Sequence, residues 1–205
     1  NKEAADNENK YIVHCLNTGK LCIFTAEGKM HQIKVLDIPA GKFRDKGVPI
    51  DNLCNYDSAK EYIIQVLDAQ TMIHSTLLFA TAKSMLKVMD GDLLNASKRT
   101  VQATKLSEDE LVAVIVADWS EESEDKVVLQ TKDGVFLKFP YAEIPKKKKS
   151  ALGVRGMKLS KDDLITNVYV MDAQNISSIM YKEKELEFNR LKLSKRDTKG
   201  TKVRR

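Results

Sequence analysis

Basic side chains cluster in four short segments of this chain, and ammonium and guanidinium groups are the side-chain groups that bind phosphate. The segments are 42–47, 98–100, 146–149 and 195–200. Any one of them fits a solvated surface turn as well as a binding site, but their recurrence predicts one shared function. The candidate phosphate-contact residues are Lys42, Arg44, Lys46, Lys98, Arg99, Lys146, Lys147, Lys148, Lys149, Arg155, Lys195, Arg196, Lys199 and Lys202.

No residue pattern typical of a catalytic or metal site accompanies these clusters. The three histidines are scattered, the three cysteines form no Cys-x-x-Cys pair, and the sequence has neither a P-loop nor a Gly-x-Ser-x-Gly motif. The acidic turn 108–110 fits a solvated surface better than a cation site. We therefore expect a non-catalytic domain that carries no metal or other cofactor.

The composition is typical of a folded domain in a reducing compartment. Of 205 residues, 42% are hydrophobic and the formal net charge is +5, which suits an acidic or polyanionic partner. Three cysteines are too few for a disulfide framework. Because no long run of apolar residues is present, we expect a cytoplasmic protein that does not contact a membrane.

The chain repeats itself at an interval of 53 residues. This interval separates the members of two series, which are Val48, Val101 and Val154, and Leu53, Leu106 and Leu159. A weaker fourth copy lies at 200–203. One irregular β domain would not be expected to place two residue types at identical offsets by chance, so the pattern indicates repeated structural units.

Each unit has the pattern of a β-hairpin followed by a basic loop and a short strand. The hairpins are predicted at 21–33, 77–88, 127–139 and 179–188, with tight turns such as Glu27-Gly28. The apolar and polar alternation at 136–139 predicts a strand with one side facing solvent.

A further strand is predicted after the acidic turn of each unit. These strands lie at 62–67, 111–116 and 164–170. The segment 107–116 could also form a short helix capped by Ser107, but its β-branched content and its counterpart at 164–170 favour a strand.

About four strands in about 50 residues is the size of a propeller blade. We therefore predict an all-β, propeller-like fold of about four four-stranded blades that form an incomplete disc or exchange strands. Residues 1–10 are expected to be a linker or a disordered start, and the remainder a single domain with approximate units at 11–68, 69–118, 119–172 and 173–205. The same loop of each blade would lie at one height of the rim, so the four basic loops would form a curved positive stripe.

Three stretches resemble a known family. Residues 17–29, 46–53 and 153–159 are similar to segments of the C-terminal β-pinwheel domain of the A subunit of bacterial DNA gyrase and topoisomerase IV, which are type IIA topoisomerases. The resemblance covers about residues 11–203 and recurs from unit to unit.

The resemblance implies a disc of strand-swapped blades that bends or wraps double-stranded DNA around a basic rim, largely independently of sequence. It implies that cleavage uses a tyrosine outside this chain, and that ATP and Mg act through the B subunit and through other domains of the A subunit. Gyrase A subunits carry a Gln-Arg-Arg-Gly-Gly-Lys-Gly box in a blade that would precede Tyr11. Segment 195–200 lacks the paired glycines of that box, which slightly favours topoisomerase IV.

A second function remains open from the residues alone. The same basic loops on a propeller-type scaffold could bind an acidic protein partner instead of DNA.

Overall fold

The computed structural model describes residues 9–42 and 44–204. One short α-helix, α1 (Ala69–Ile73), lies between the third and fourth strands of this part of the chain. In chain order, the strands are β1 (Lys20–Thr25), β2 (Lys29–Lys34), β3 (Ile63–Asp68), β4 (Thr76–Thr81), β5 (Met85–Asp90), β6 (Thr100–Gln102), β7 (Leu111–Val116), β8 (Lys126–Thr131), β9 (Val135–Pro140), β10 (Val154–Arg155), β11 (Ile165–Val170), β12 (Ser178–Tyr181), β13 (Lys184–Glu187) and β14 (Thr201–Lys202).

The strands form four antiparallel sheets, which we call blades 1 to 4. Blade 1 has the order β3-β1-β2-β6, blade 2 the order β7-β4-β5-β10, and blade 3 the order β11-β8-β9-β14. Blade 4 contains the hairpin β12-β13. The predicted all-β pinwheel is therefore confirmed, as an open arc in which the fourth blade has two strands in the described part of the chain instead of the predicted four.

The order of strands within a blade runs from the axis of the arc to its perimeter. Strand β7 of blade 2 contacts both β3 of blade 1 and β11 of blade 3, so these strands lie nearest the common axis. Strands β6, β10 and β14 lie at the opposite ends of their sheets and therefore on the perimeter.

Each perimeter strand is donated by the next unit of the chain. Strand β6 follows the hairpin of blade 2 but pairs with β2 of blade 1, where Val101 lies opposite Met30. In the same way Val154 of β10 lies opposite Leu86, and Thr201 of β14 lies opposite Phe136. The interval of 53 residues between Val101 and Val154 is thus the spacing of equivalent register positions on successive blades.

The first copy of the repeat does not form the expected short strand. Segment 47–49 is irregular, Ile50–Asn52 form a single 3-10 turn, and Val48 is 39% exposed. A donated strand needs the outer strand of a preceding hairpin, and no hairpin precedes β1 among residues 9–42. The segment therefore has no edge to pair with in this part of the chain.

Apolar side chains fill the spaces between neighbouring blades. Phe24 of blade 1 meets Phe79 of blade 2 edge to face, with ring centroids 6.2 Å apart. Leu129 and Phe139 of blade 3 pack with Leu78 of blade 2 in a second cluster. Since every such side chain here is buried between two sheets, a single blade would leave one apolar face open to water.

Gly153 offers a test of the strand exchange. Its φ is +99°, and a Cβ there would lie 2.4 Å from the backbone oxygen of Leu86. Gly153→Ala is expected to lower the free energy of unfolding by roughly 2–4 kcal/mol, because it adds left-handed strain and a backbone clash beside β10.

Gly47 is the matched control, because it occupies the same repeat position in the copy for which the described residues contain no acceptor strand. Nothing lies within 4 Å of a Cβ placed there. Gly47→Ala should change the free energy of unfolding by less than about 0.5 kcal/mol. Urea denaturation measures the free energy of unfolding of both variants. An equal decrease in the two would contradict the role assigned to the strand exchange.

Candidate nucleic-acid interface

Three loops cross the perimeter on their way to the donated strands. We call residues 95–99, 145–153 and 193–200 the first, second and third rim loop; they precede β6, β10 and β14. The second rim loop first runs parallel to β5, where the amide of Val88 donates to Pro145 O (3.1 Å) and the amide of Lys147 donates to Val88 O (2.8 Å). It then turns back so that β10 can pair antiparallel with the same strand.

A buried lysine lies inside the turn of the second rim loop. Lys87 of β5 is 1% exposed, and its Nζ donates to the carbonyl oxygens of Lys148 (3.3 Å), Lys149 (3.0 Å) and Ala151 (2.7 Å). Burial lowers the pKa of Lys87 to about 8. Because the loop turns its carbonyls inward to this ammonium group, its shape is set from within the blade.

Blade 1 uses a comparable buried donor for the first rim loop, and the buried donor of blade 3 bonds to Phe188, which lies before the third rim loop. Gln32 of β2 donates from Nε2 to the carbonyls of Ala96 (2.9 Å) and Lys98 (2.6 Å) in the first rim loop. Lys138 of β9 donates to Phe188 O at 2.8 Å, and burial lowers its pKa. The predicted solvent-facing side of 136–139 is therefore wrong at Lys138, which is 8% exposed.

Neighbouring rim segments are hydrogen-bonded to one another. The amide of Asp197 donates to Gly156 O at 2.7 Å, and the amide of Lys158 donates to Thr198 O at 3.0 Å. Between blades 1 and 2, the amide of Lys105, which follows β6, donates to Lys149 O of the second rim loop at 3.3 Å. The three rim loops and the segments that follow β6 and β10 thus form one continuous belt.

Two exposed lysines of this belt were not predicted from the sequence. Lys105 and Lys158 lie shortly after β6 and β10. They are separated by the same 53 residues as the valine and leucine series. This interval was the signal that could have identified them.

The predicted contact residues fall into three groups in the structure. The first group lies on the belt or on the perimeter strand β14 that follows it, with side chains exposed or half-buried, namely Lys98, Arg99, Lys147, Lys148, Lys149, Lys195, Lys199 and Lys202. The second group is exposed and lies in a segment whose described hydrogen bonds are local and do not reach a blade, namely Lys42, Arg44 and Lys46. Phe43, which the basic segment 42–47 also includes, lies outside the described residues.

The third group has partners within the protein. Lys146 Nζ lies 2.9 Å from Asp90 and above the Trp119 ring. Arg155 makes two contacts with Asp197, at 2.5 and 3.2 Å, and this hydrogen bonding lowers the pKa of the carboxyl group. Arg196 donates to the carbonyls of Glu143 (3.0 Å) and Arg155 (2.7 Å), so it holds the third rim loop in place.

The described residues offer little to other kinds of site. Among them, no group of three or more His, Cys, Asp and Glu side chains is arranged to hold a metal ion. None of the helices in residues 9–42 and 44–204 is long and apolar enough to cross a membrane. The expectation that the domain carries no cofactor stays a prediction.

Comparison with known proteins decides the family. The family described as "DNA gyrase C-terminal domain, beta-propeller" matches residues 19–58, 75–118 and 125–170. This chain belongs to that family. The DNA gyrase A subunit of Chlamydia pneumoniae is 32% identical over 159 residues, which are 75% of this chain and 18% of that protein. The corresponding gyrase protein of Lawsonia intracellularis is 29% identical over 163 residues, covering 78% of this chain and 19% of that protein.

Solved structures of family members share the fold. A crystal structure of the C-terminal domain of DNA topoisomerase IV matches 98% of this chain and 66% of that domain, with a TM-score of 0.80 and 20% identity. The E. coli ParC C-terminal domain matches 93% of this chain and 78% of its own, with a TM-score of 0.71 and 17% identity. The chain thus corresponds to about one fifth of the curated gyrase proteins and to most of a C-terminal domain.

The lowered pKa of Lys87 predicts a pH-dependent stability. Below pH 8 the lysine is protonated in both folded and unfolded chains, and between about pH 8 and its ordinary value of 10.5 only the unfolded chain keeps the proton. Stability should therefore rise with pH in this window, by up to about 3 kcal/mol relative to Lys87→Met. Denaturant unfolding of both proteins from pH 7 to pH 10 measures this difference, and parallel pH curves would refute it.

Proposed function

We propose that this domain binds double-stranded DNA on its perimeter and bends it along the arc. The observation that carries the proposal is the continuous belt of three basic rim loops on successive blades. A set of cations along a curved edge matches the repeating negative charge of a duplex backbone better than it matches a single small ligand.

The second rim loop supplies the strongest local charge. Lys147, Lys148 and Lys149 have no carboxylate within 4.0 Å among the described residues. The carbonyls of Lys148 and Lys149 are occupied by Lys87, so the loop presents its side chains on a backbone that is already ordered. Ordering before binding reduces the entropy lost when the complex forms.

The composition of the belt favours contacts to phosphates over contacts to bases. The rim loops 95–99, 145–153 and 193–200 contain no aromatic residue on which a base could stack. Bending a site of 20–30 bp by 40–90° costs on the order of 1–6 kcal/mol, which several phosphate contacts can offset. Sequence preference would then arise from the bendability of the DNA.

We further propose that the chain is part of the A subunit of a bacterial type IIA topoisomerase. Its partners would be the B subunit together with the remaining domains of its own polypeptide, and ATP and Mg would act through those domains. The preference for topoisomerase IV stays a prediction that rests on the absence of paired glycines at 195–200. This preference can be tested by binding the domain to a nicked plasmid, resealing the nick and measuring the change in linking number. A large change would indicate tight chiral wrapping and would favour gyrase.

The salt dependence of DNA binding tests the proposed interface. Replacing Lys147, Lys148 and Lys149 by Gln removes up to three phosphate contacts, so the log-log slope of affinity against salt should become shallower by about 2–3. Fluorescence anisotropy of a labelled duplex of roughly 30 bp, between about 50 and 200 mM salt, measures this slope. Lys146 and Arg196 are left intact because they have partners within the fold.

The control variant replaces Lys60, Lys132 and Lys161 by Gln. These lysines lie in turns beside the axis strands β3 and β11, and their removal changes the net charge equally. The ion pair of Lys60 with Asp57 (3.3 Å) is exposed, so its loss has little effect on stability. The control should keep the slope of the unmodified protein. Equal slopes in all three proteins would overturn the interface, and binding of an acidic protein without any binding of duplex would favour the scaffold function.

A further inference from the structure

Blade 1 carries a small polar pocket beside the first rim loop. The pocket has a volume of about 170 Å³, and its polar lining consists of Lys20, Gln32, Lys34, Asp37, Ser97 and Arg99. Sites for drug-sized organic ligands usually measure about 300–1,000 Å³, so this pocket suits a small ion better than a nucleotide.

Two of the lining lysines are placed against each other by the sheet. Lys20 begins β1 and Lys34 ends β2, and the two residues are direct cross-strand partners. Like charges in this position destabilise a sheet. The equivalent pairs are Thr76 with Asp90 in blade 2, Lys126 with Pro140 in blade 3 and Ser178 with Glu187 in blade 4, and none of them pairs two cations.

The positive charge of the pocket is not neutralised within the described residues. Lys20, Lys34 and Arg99 form no ion pair there. Among the described residues that line the pocket, Asp37 is the one carboxylate, so two formal positive charges remain there. A bound anion of one or two negative charges would balance them and remove the repulsion across the strands.

The wall of the pocket is fixed by hydrogen bonds to the blade. The amide of Gln32 donates to Arg99 O at 2.7 Å, and its side chain holds the carbonyls of Ala96 and Lys98. The amide of Val35 donates to Gly19 O at 3.0 Å, which keeps the ends of β1 and β2 together. The backbone that carries Lys20, Lys34 and Arg99 is therefore fixed around the cavity that these residues line.

We propose that this pocket is an oxyanion site that binds a phosphate group through Lys20, Lys34 and Arg99. Because Arg99 belongs to the first rim loop, the phosphate is a phosphodiester of the bound duplex. This choice of source rests on the function proposed above, whereas the oxyanion site itself does not. Lys20 and Lys34 then extend the belt inward at blade 1.

The first experiment uses inorganic phosphate and the whole chain without DNA. Phosphate should raise the melting temperature of the unmodified protein above its value in chloride at equal ionic strength, and this rise should vanish in Lys20→Gln/Lys34→Gln. In phosphate-free buffer the double variant should melt at the same or a higher temperature, because the cross-strand repulsion is gone. A missing phosphate effect in the unmodified protein, or a lower melting temperature of the variant in chloride, would overturn the oxyanion site.

The second experiment uses the duplex. The double variant should lose roughly tenfold in affinity, and its salt slope should become shallower by about one, while Lys60→Gln/Lys161→Gln binds as the unmodified protein does. If phosphate binds but the duplex results are unchanged, the pocket takes a free phosphate and the DNA source is wrong. If the unmodified protein binds phosphate in this pocket but no duplex, the proposed function fails and the oxyanion site stands.

Discussion

The exchange of one short strand between successive units is the interaction on which the rest of this structure depends. Strands β6, β10 and β14 contribute only two or three residues each, yet each crosses from its own unit to the outer edge of the preceding blade. The crossing brings a loop onto the perimeter at every blade boundary. Because each of these loops is basic, the strand exchange places positive charge on the perimeter at every blade boundary. The belt is therefore a consequence of the topology.

Buried donors convert this topology into a rigid surface. Lys87 is surrounded by three carbonyls of the second rim loop, and Gln32 holds two carbonyls of the first. Burying an ammonium group costs free energy, which the lowered pKa of Lys87 reflects. The lysine side chains of the second rim loop therefore project from an ordered backbone. The backbone amide of Lys105 also donates to this loop, at Lys149 O.

Local patterns predicted the hairpins and axis strands well, because turn residues and strand periodicity act within a few residues. The interval of 53 residues located β6 and β10 correctly. It failed at Val48, because a donated strand needs an acceptor hairpin that the local sequence does not encode. The alternation of apolar and polar residues around Lys138 predicted an exposed side chain there. The pattern could not show that the ammonium group bonds to a carbonyl 50 residues away in the chain.

The sequence located the basic loops of the candidate site but did not predict which of their side chains pair with one another. The ion pair of Arg155 with Asp197 depends on the docking of separate units, and the pairing of Lys20 with Lys34 depends on strand register.

The angle of the bound duplex tests the curved interface most directly. Energy transfer between dyes at the two ends of a duplex of roughly 30 bp reports the distance between those ends. If the duplex bends along the belt, a saturating concentration of the domain should shorten this end-to-end distance at low salt. Replacing Lys147, Lys148 and Lys149 by Gln should restore most of the distance measured for the free duplex. A duplex that binds with unchanged end-to-end distance would contradict a curved interface on the perimeter.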